Sequence, residues 1–272
     1  MPARYAVFGN PIAHSLSPII HQLFAKETNQ DITYEKILVP LDGFQETVKE
    51  FHQNGGQGAN VTLPFKEQAY EFANILDSHA KIAGSVNTLL WTEQNIIKGY
   101  NTDGLGLIRD LTQNQQFPLA NKTILIIGAG GATKGVLTPI LEQNPELLVI
   151  GNRTYDKAEI LAEKWKPFGS CIACPFHALE QYHFDLIINA TAASLKGEIP
   201  NIPKEIINHQ VACYDMVYGQ NLTPFLSFAK SCGSTKLMDG LGMLVEQAAE
   251  SFYLWRQVKP NTQSVLATLR QS

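Results

Sequence analysis

KTILIIGAGGAT, Lys122 to Thr133, is the stretch on which the fold turns. Thr123 to Ile127 is an unbroken apolar run of the kind found in a parallel strand buried on both faces. Gly128, Ala129, Gly130, Gly131 and Ala132 follow it and lead into a helix-like stretch, the place where a dinucleotide pyrophosphate docks on a helix N-terminus. The GxGxxG rule is only partly met, because Thr133 stands where the third glycine would be. The next strand-like run, Leu147 to Ile150, ends at Gly151-Asn152-Arg153-Thr154, with Lys157 one turn further on. An acidic residue there would accept from a ribose 2′-hydroxyl, whereas Arg153 and Lys157 offer charge-assisted donors to a 2′-phosphate. NADP(H) is therefore expected rather than NAD. The competing interpretation is a tight glycine turn beside a solvated pair of basic side chains. Thr191, which ends FDLIINAT, and Met216, after VACYD, lie at strand ends of the same series, where a nicotinamide would be lined.

Working outward, KTILIIG opens a βα series that continues through LLVIGNRT, FDLIINAT and VACYDMVY. Upstream, YAVFG, a helical stretch from Ser17 to Thr28, ITYEKILV, Phe44 to Gln53 and GANVT form βαβαβ writing, which implies parallel strands. AGSVNTLLW and NIIKGYN are separated by the polar turn Thr92 to Gln94, so that first sheet is expected to be mixed but mainly parallel. A helix from about Gly104 to Asn114 leads to the break at Phe117-Pro118. Leu241 to Arg256 and a shorter helix from Thr262 have no strand after them and are expected to pack back on the first domain. The chain thus reads as an α/β protein of two domains: residues 1–103 with 240–272 for substrate and catalysis, and a Rossmann-like dinucleotide domain over residues 104–239. Two chain crossings beside a cleft would permit hinge closure.

At 272 residues and 44% hydrophobic, the chain is long enough for such a pair of cores. A net charge of −4, with 21 basic and 25 acidic residues well mixed, leaves no basic stripe for nucleic acid. No apolar run approaches membrane-spanning length and the N-terminus has no signal-peptide core, so a cytoplasmic protein with no membrane partner is expected. Cys171 and Cys174 form a CxxC, but no second ligand pair sits at zinc spacing; with Cys213 and Cys232 they read as reduced structural thiols, and no metal is expected.

Two short polar segments carry the chemistry. NVTLPFK places Lys66, and GYNTDG places Asp103, just past strand-like runs, where open α/β sheets collect catalytic groups. Lys66 falls in the first turn of a helix, an unfavourable place for a cation, while Asp103 would equally serve as a helix N-cap. Thr62, Asn87 and Asn101 at other strand ends complete a polar ring. Ser17 before Pro18 reads as an N-cap followed by proline at the first helical position, which by itself would account for Ser17; Ser15 has no such duty. Together the two hydroxyls also make a seat for a carboxylate.

GNPIAHSLSP, GANVTLPFK, AGSVNTL, GYNTDG, GAGGA, NRT, YDMVY and DGLGMLVEQAA occur in this order from residue 9 to residue 249, and with them the chain resembles the shikimate dehydrogenase family. The resemblance implies NADPH-dependent reduction of 3-dehydroshikimate to shikimate, in the chorismate pathway to the aromatic amino acids. It assigns the substrate carboxylate to Ser15 and Ser17, and the ring oxygens to Thr62, Lys66, Asn87, Asp103 and Gln247, with Tyr218 as a further contact. Lys66 would be the acid/base and Asp103 its orienting partner. The cofactor would rest on Gly128, Ala129, Gly130, Gly131 and Ala132, on Asn152, Arg153, Thr154 and Lys157, and on Thr191, Met216 and Gly240. A homodimer is compatible with it. One departure is Ala192, where the family usually has serine after NAT, which removes one expected cofactor hydrogen bond. The rivals are a quinate enzyme paired with NAD and an NADP-binding sensor without chemistry.

Overall fold

The computed structural model describes residues 1–271 and divides into two compact units, Met1–Gly106 with Val245–Ser272, and Leu107–Leu244. The first unit begins with β1 (Ala3–Gly9), α1 (Ser17–Glu27), β2 (Ile32–Leu38), α2 (Phe44–Gln53) and β3 (Gly56–Val61). It continues through α3 (Lys66–Phe72), β4 (Ile75–Leu76), α4 (Ser78–Ala83), β5 (Thr88–Trp91) and β6 (Ile97–Tyr100) into α5 (Asp103–Arg109). Its sheet runs β2-β1-β3-β5-β6-β4. β1 pairs in parallel with both β2 and β3, whereas β5 lies antiparallel to β3 and to β6. The reversal follows from the Thr92 to Gln94 turn, closed by Thr92 N–H to the Ile96 carbonyl at 3.0 Å, with Asn95 in the left-handed region at φ 58°. The mixed sheet is as the sequence indicates.

In the second unit β7 (Thr123–Ile127), α6 (Gly131–Leu141), β8 (Leu147–Gly151), α7 (Tyr155–Trp165), β9 (Cys171–Cys174), β10 (Leu186–Asn189), β11 (Ala212–Asp215), α8 (Pro224–Ser231) and β12 (Leu237–Asp239) follow in turn. Every strand pair is parallel and the order is β12-β11-β10-β7-β8-β9. Read from β9, that is the 3-2-1-4-5-6 order of a doubly wound dinucleotide sheet, with its switch point between β7 and β10. Ile124 to Ile127 are all fully buried, as strands covered on both faces must be.

α9 (Leu241–Arg256) starts in the second unit and ends in the first, where α10 (Thr262–Gln271) follows. The C-terminal helices return to the first unit: Trp255 stacks on Tyr5 with ring centroids 4.6 Å apart and donates its Nε1–H to the Leu89 carbonyl at 3.0 Å. Gly58 makes room for that indole, since a Cβ there would come within 2.5 Å of Trp255 Nε1. On the opposite face, Phe8 packs edge-on against Phe44 and Phe51.

The structure corrects several local expectations. The helix anticipated from Gly104 to Asn114 is α5 followed by a single π-helical turn, Asp110–Asn114. The two-residue β4 and the short strands β9 and β12 were not anticipated. Ser17 is the first helical residue rather than the cap, Pro18 is second, and Leu16 occupies the cap position without a side-chain bond.

His21 on α1 is fully buried, with neither ring nitrogen hydrogen-bonded. Its imidazole stacks on Tyr34 at 4.3 Å and lies against Phe24, Phe252 and Trp255. Nothing else in the structure explains a histidine there rather than a phenylalanine. Burial pushes its pKa from 6.5 down to about 3, with Asn60 opposing the shift. Below pH 6.5 the unfolded chain therefore binds a proton that the folded chain refuses, and stability falls with pH until about pH 3. His21→Phe is expected to flatten the pH dependence of unfolding free energy by about 1 kcal/mol per pH unit in mildly acidic buffer. Urea titrations of both proteins between about pH 4.5 and 6 check this, and equal slopes would contradict it.

Candidate active site

Strand register brings the polar segments of the first unit to one edge of its sheet. The loops after β1 and β3 leave the C-terminal ends of adjacent parallel strands and are clamped by Thr62 N–H to the Phe8 carbonyl at 2.9 Å and Asn10 N–H to the Leu63 carbonyl at 3.0 Å. Because β5 runs against β3, its start lies beside the end of β3, with Asn60 opposite Thr88. Because β6 runs against β5, its end returns to the same edge, with Thr88 opposite Tyr100. Lys66, Asn87 and Asp103 therefore converge although 37 residues separate the first from the last.

Lys66 Nζ donates to Asp103 Oδ2 at 2.5 Å, in a pair whose side chains are only 22% and 11% exposed. Asn87 Nδ2 donates to Asp103 Oδ1 at 2.8 Å and to Gln247 Oε1 at 3.3 Å. The orientation of that amide is fixed from behind, since Asn87 Oδ1 accepts Thr102 N–H at 2.9 Å and the Thr88 hydroxyl at 3.0 Å. Asp103 is the first residue of α5, not its cap; both carboxylate oxygens are already engaged, by Lys66 and by Asn87. Asn101 of the expected ring turns inward to Ser85 and accepts the Asp103 N–H at 3.2 Å. Lys66 does begin α3, whose N-terminus no side chain caps.

Beneath this edge lies a buried polar layer that inspection of the sequence missed. Asn60 Nδ2 reaches Ser251 Oγ at 2.9 Å and Thr88 Oγ1 at 3.1 Å, while its Oδ1 accepts the Tyr34 hydroxyl at 2.7 Å. Thr102 Oγ1 donates to the Gln247 carbonyl at 3.1 Å. The available signal was spacing: Gln247 and Ser251 are four apart on α9 and so share a face.

Ser15 and Ser17 form a group of their own at the start of α1. Ser15 Oγ donates to Ser17 Oγ at 3.2 Å and accepts the Ser17 N–H at 3.3 Å. Ser15, one residue before the cap position, thus takes the Ser17 amide, and Ser17 does no capping and keeps its hydroxyl in the pair.

In the second unit, Gly128 carries φ +115°, and a Cβ there would press on Thr191 Cγ2 at 3.1 Å. Thr133, the departure from the glycine rule, is fully buried and donates its hydroxyl to the Gly128 carbonyl at 2.9 Å, closing the loop. The N-terminus of α6 has no side-chain cap, and nothing lies within 4 Å of where a Cβ would stand on Gly130 or Gly131. Asn152 donates to the Thr154 carbonyl at 2.8 Å and so shapes the turn after β8. Arg153, Thr154 and Lys157 are exposed, and among the described residues neither Arg153 nor Lys157 is paired with a carboxylate. Asn152, Arg153, Thr191 and Ala192 line a concavity of about 690 Å³. An uncapped helix N-terminus with open space beside its glycines, and exposed cations after the next strand, fits the pyrophosphate and the 2′-phosphate of NADP(H). Met216 and Gly240 meet just past the ends of β11 and β12, where a Cβ on Gly240 would lie 2.2 Å from the Met216 carbonyl oxygen. Tyr218 is half-buried, and burial raises its phenol pKa.

The family model for the shikimate dehydrogenase substrate binding domain matches residues 7–89, that for shikimate / quinate 5-dehydrogenase residues 110–205, and that for the shikimate 5′-dehydrogenase C-terminal domain residues 240–270. The chain is 51% identical over 272 residues to the shikimate dehydrogenase (NADP(+)) of Nitrosospira multiformis, covering 100% of this chain and 98% of that protein. The chain belongs to the shikimate dehydrogenase family. Among solved structures it is similar to an Ael1 enzyme from Pseudomonas putida, with TM-score 0.93 and 42% identity over 98% of each chain. It is also similar to the Thermus thermophilus shikimate 5-dehydrogenase in complex with NADP(H) and shikimate, with TM-score 0.88 and 32% identity over 99% of each chain. In the architecture of this family the first unit corresponds to the N-terminal substrate domain and the second to the Rossmann-like NADP domain.

The four cysteines are free. Burial pushes the Cys171 and Cys213 thiols up to about 12, so neither is a nucleophile at neutral pH. Among the described residues no helix is long and apolar enough to cross a membrane.

Proposed function

We propose that the chain interconverts 3-dehydroshikimate and shikimate with NADP(H), and that Lys66 and Asp103 are the groups that move and steer the proton. The 2.5 Å contact between them, braced by Asn87, carries this assignment. When bound at the second unit, NADPH supplies the hydride for the ketone carbon. Lys66 donates a proton to the alkoxide oxygen as charge develops, and in the reverse direction neutral Lys66 accepts the hydroxyl proton. Asp103 holds the ammonium in one direction, which lowers the orientational cost of that transfer. Thr62, Asn87 and Gln247 are proposed to hold the ring hydroxyls, Ser15 and Ser17 the carboxylate, and Tyr218 a further substrate contact. Gly128 to Ala132, Asn152 to Lys157, Thr191, Met216 and Gly240 are proposed to hold the cofactor. On this proposal residues 1–103 with 240–272 form the substrate and catalytic domain and residues 104–239 the NADP domain. A cytoplasmic location and a homodimer agree with it.

Quinate adds one hydroxyl to the same ring. The test is NADP reduction by the purified protein with shikimate or quinate. Faster turnover of shikimate is expected. Preference for quinate would move the protein to the quinate branch, and binding of NADP without turnover of either would make it a sensor.

A further inference from the structure

The carboxylate of Asp215 ends β11 in a fully buried position and has a donor on every side. Its Oδ2 accepts the hydroxyls of Ser194 and Thr223, each at 2.6 Å. Its Oδ1 accepts Val217 N–H and Asn189 Nδ2, each at 3.1 Å. These donors come from three separate places: Ser194 from the loop after β10, Val217 from the loop after β11, and Thr223 from the start of α8. Asn189 extends the connection, since its Oδ1 accepts the Thr191 hydroxyl at 2.7 Å and the Thr191 N–H at 3.1 Å, while its carbonyl accepts Met216 N–H at 3.0 Å. Val217 in turn accepts Gly240 N–H at 3.2 Å. Thr191, Met216 and Gly240 are thereby hung from one buried carboxylate.

We propose that Asp215 is a positioning residue for the cofactor, fixing the loops after β10 and β11 so that Thr191 and Met216 are set before NADP(H) arrives. This rests on the assignment of those loops to the cofactor. An ionised carboxylate only accepts, so four donors can converge on it without conflict, whereas an amide would turn two donors of its own toward them. Burial raises the pKa of Asp215 and the bonds from Ser194 and Thr223 oppose that rise, so the donors favour the charged form against desolvation. Loops held this way lose little freedom when the ligand binds, and preorganisation of that kind appears as affinity.

The test uses Asp215→Asn and the milder Ser194→Ala, which keeps the carboxylate and removes a single tie to the β10 loop. NADPH dissociation constants from fluorescence titration, KM for each substrate, and Tm are measured on the folded proteins. Ser194→Ala is expected to weaken NADPH about tenfold, the scale of one hydrogen bond to a charged group, and to raise KM for NADP alike while leaving KM for shikimate unchanged. Asp215→Asn is expected to do so more strongly; if it does not fold, Ser194→Ala decides. A lowered Tm with unchanged NADPH affinity in Ser194→Ala would reduce Asp215 to a structural role and overturn the proposal. Failure of the wild-type protein to bind NADPH would remove the cofactor assignment itself, before either variant is compared.

Discussion

Lys66→Ala is expected to lower kcat for shikimate oxidation by about 10²-fold or more, the usual effect of losing a positioned acid/base group. The substrate hydroxyl would then have only water to take its proton as the hydride leaves. KM for shikimate is expected to rise as well, because the same ammonium is proposed to touch a ring oxygen. The fold should survive: Lys66 lies at the first position of α3 with its side chain 22% exposed, and its removal opens no cavity in either aromatic layer. Asp103 would keep its bond from Asn87, at 2.8 Å, and admit water on the vacated side. Steady-state kinetics beside a circular-dichroism spectrum checks this, and a folded variant with turnover near wild type would remove Lys66 from the proton-transfer role.

Arg153→Ala is expected to weaken NADP by roughly 10- to 100-fold while leaving NAD nearly unchanged, since only NADP carries the 2′-phosphate. The side chain is exposed at the end of β8 and has no carboxylate partner among the described residues, so removing it leaves no orphaned charge. Lys157, on the first turns of α7, is the second cation and accounts for the residual preference. Michaelis constants for both cofactors, measured on wild type and variant, give the comparison; equal losses for NADP and NAD would mean that Arg153 does not read the phosphate.

The βα alternation was legible because buried parallel strands leave unbroken apolar runs such as Thr123 to Ile127, and because the Thr92 to Gln94 turn is short enough to force a reversal. β4, β9 and β12 escaped because strands of two to four residues at or beside a sheet edge carry no periodicity of their own. The polar segments around Lys66 and Asp103 were visible as strand-end motifs, and the structure brings them into contact. The capping alternative for both Ser17 and Asp103 does not hold, since each is the first helical residue. Each reading was sound for an isolated helix, but Ser15 reaches the Ser17 amide first, and Asp103 is taken by Lys66 and Asn87, 37 and 16 residues away. The supporting layer was the least legible. Ser251 meets Asn60 across 191 positions and Asp215 meets Ser194 across 21, and a buried polar side chain reads in one sequence like a solvated one. Thr133 was the reverse case, a departure from a glycine rule that the fold uses to tie the loop shut.

The measurement closest to the central claim is the oxidation of NADPH by the purified wild-type protein on addition of 3-dehydroshikimate, with NADH run in parallel. Rapid, substrate-dependent loss of NADPH absorbance, with NADH oxidised far more slowly, is the predicted result. NADPH bound but not consumed would contradict a proton-transfer role for the Lys66 and Asp103 pair and leave a protein that binds the cofactor without performing this chemistry.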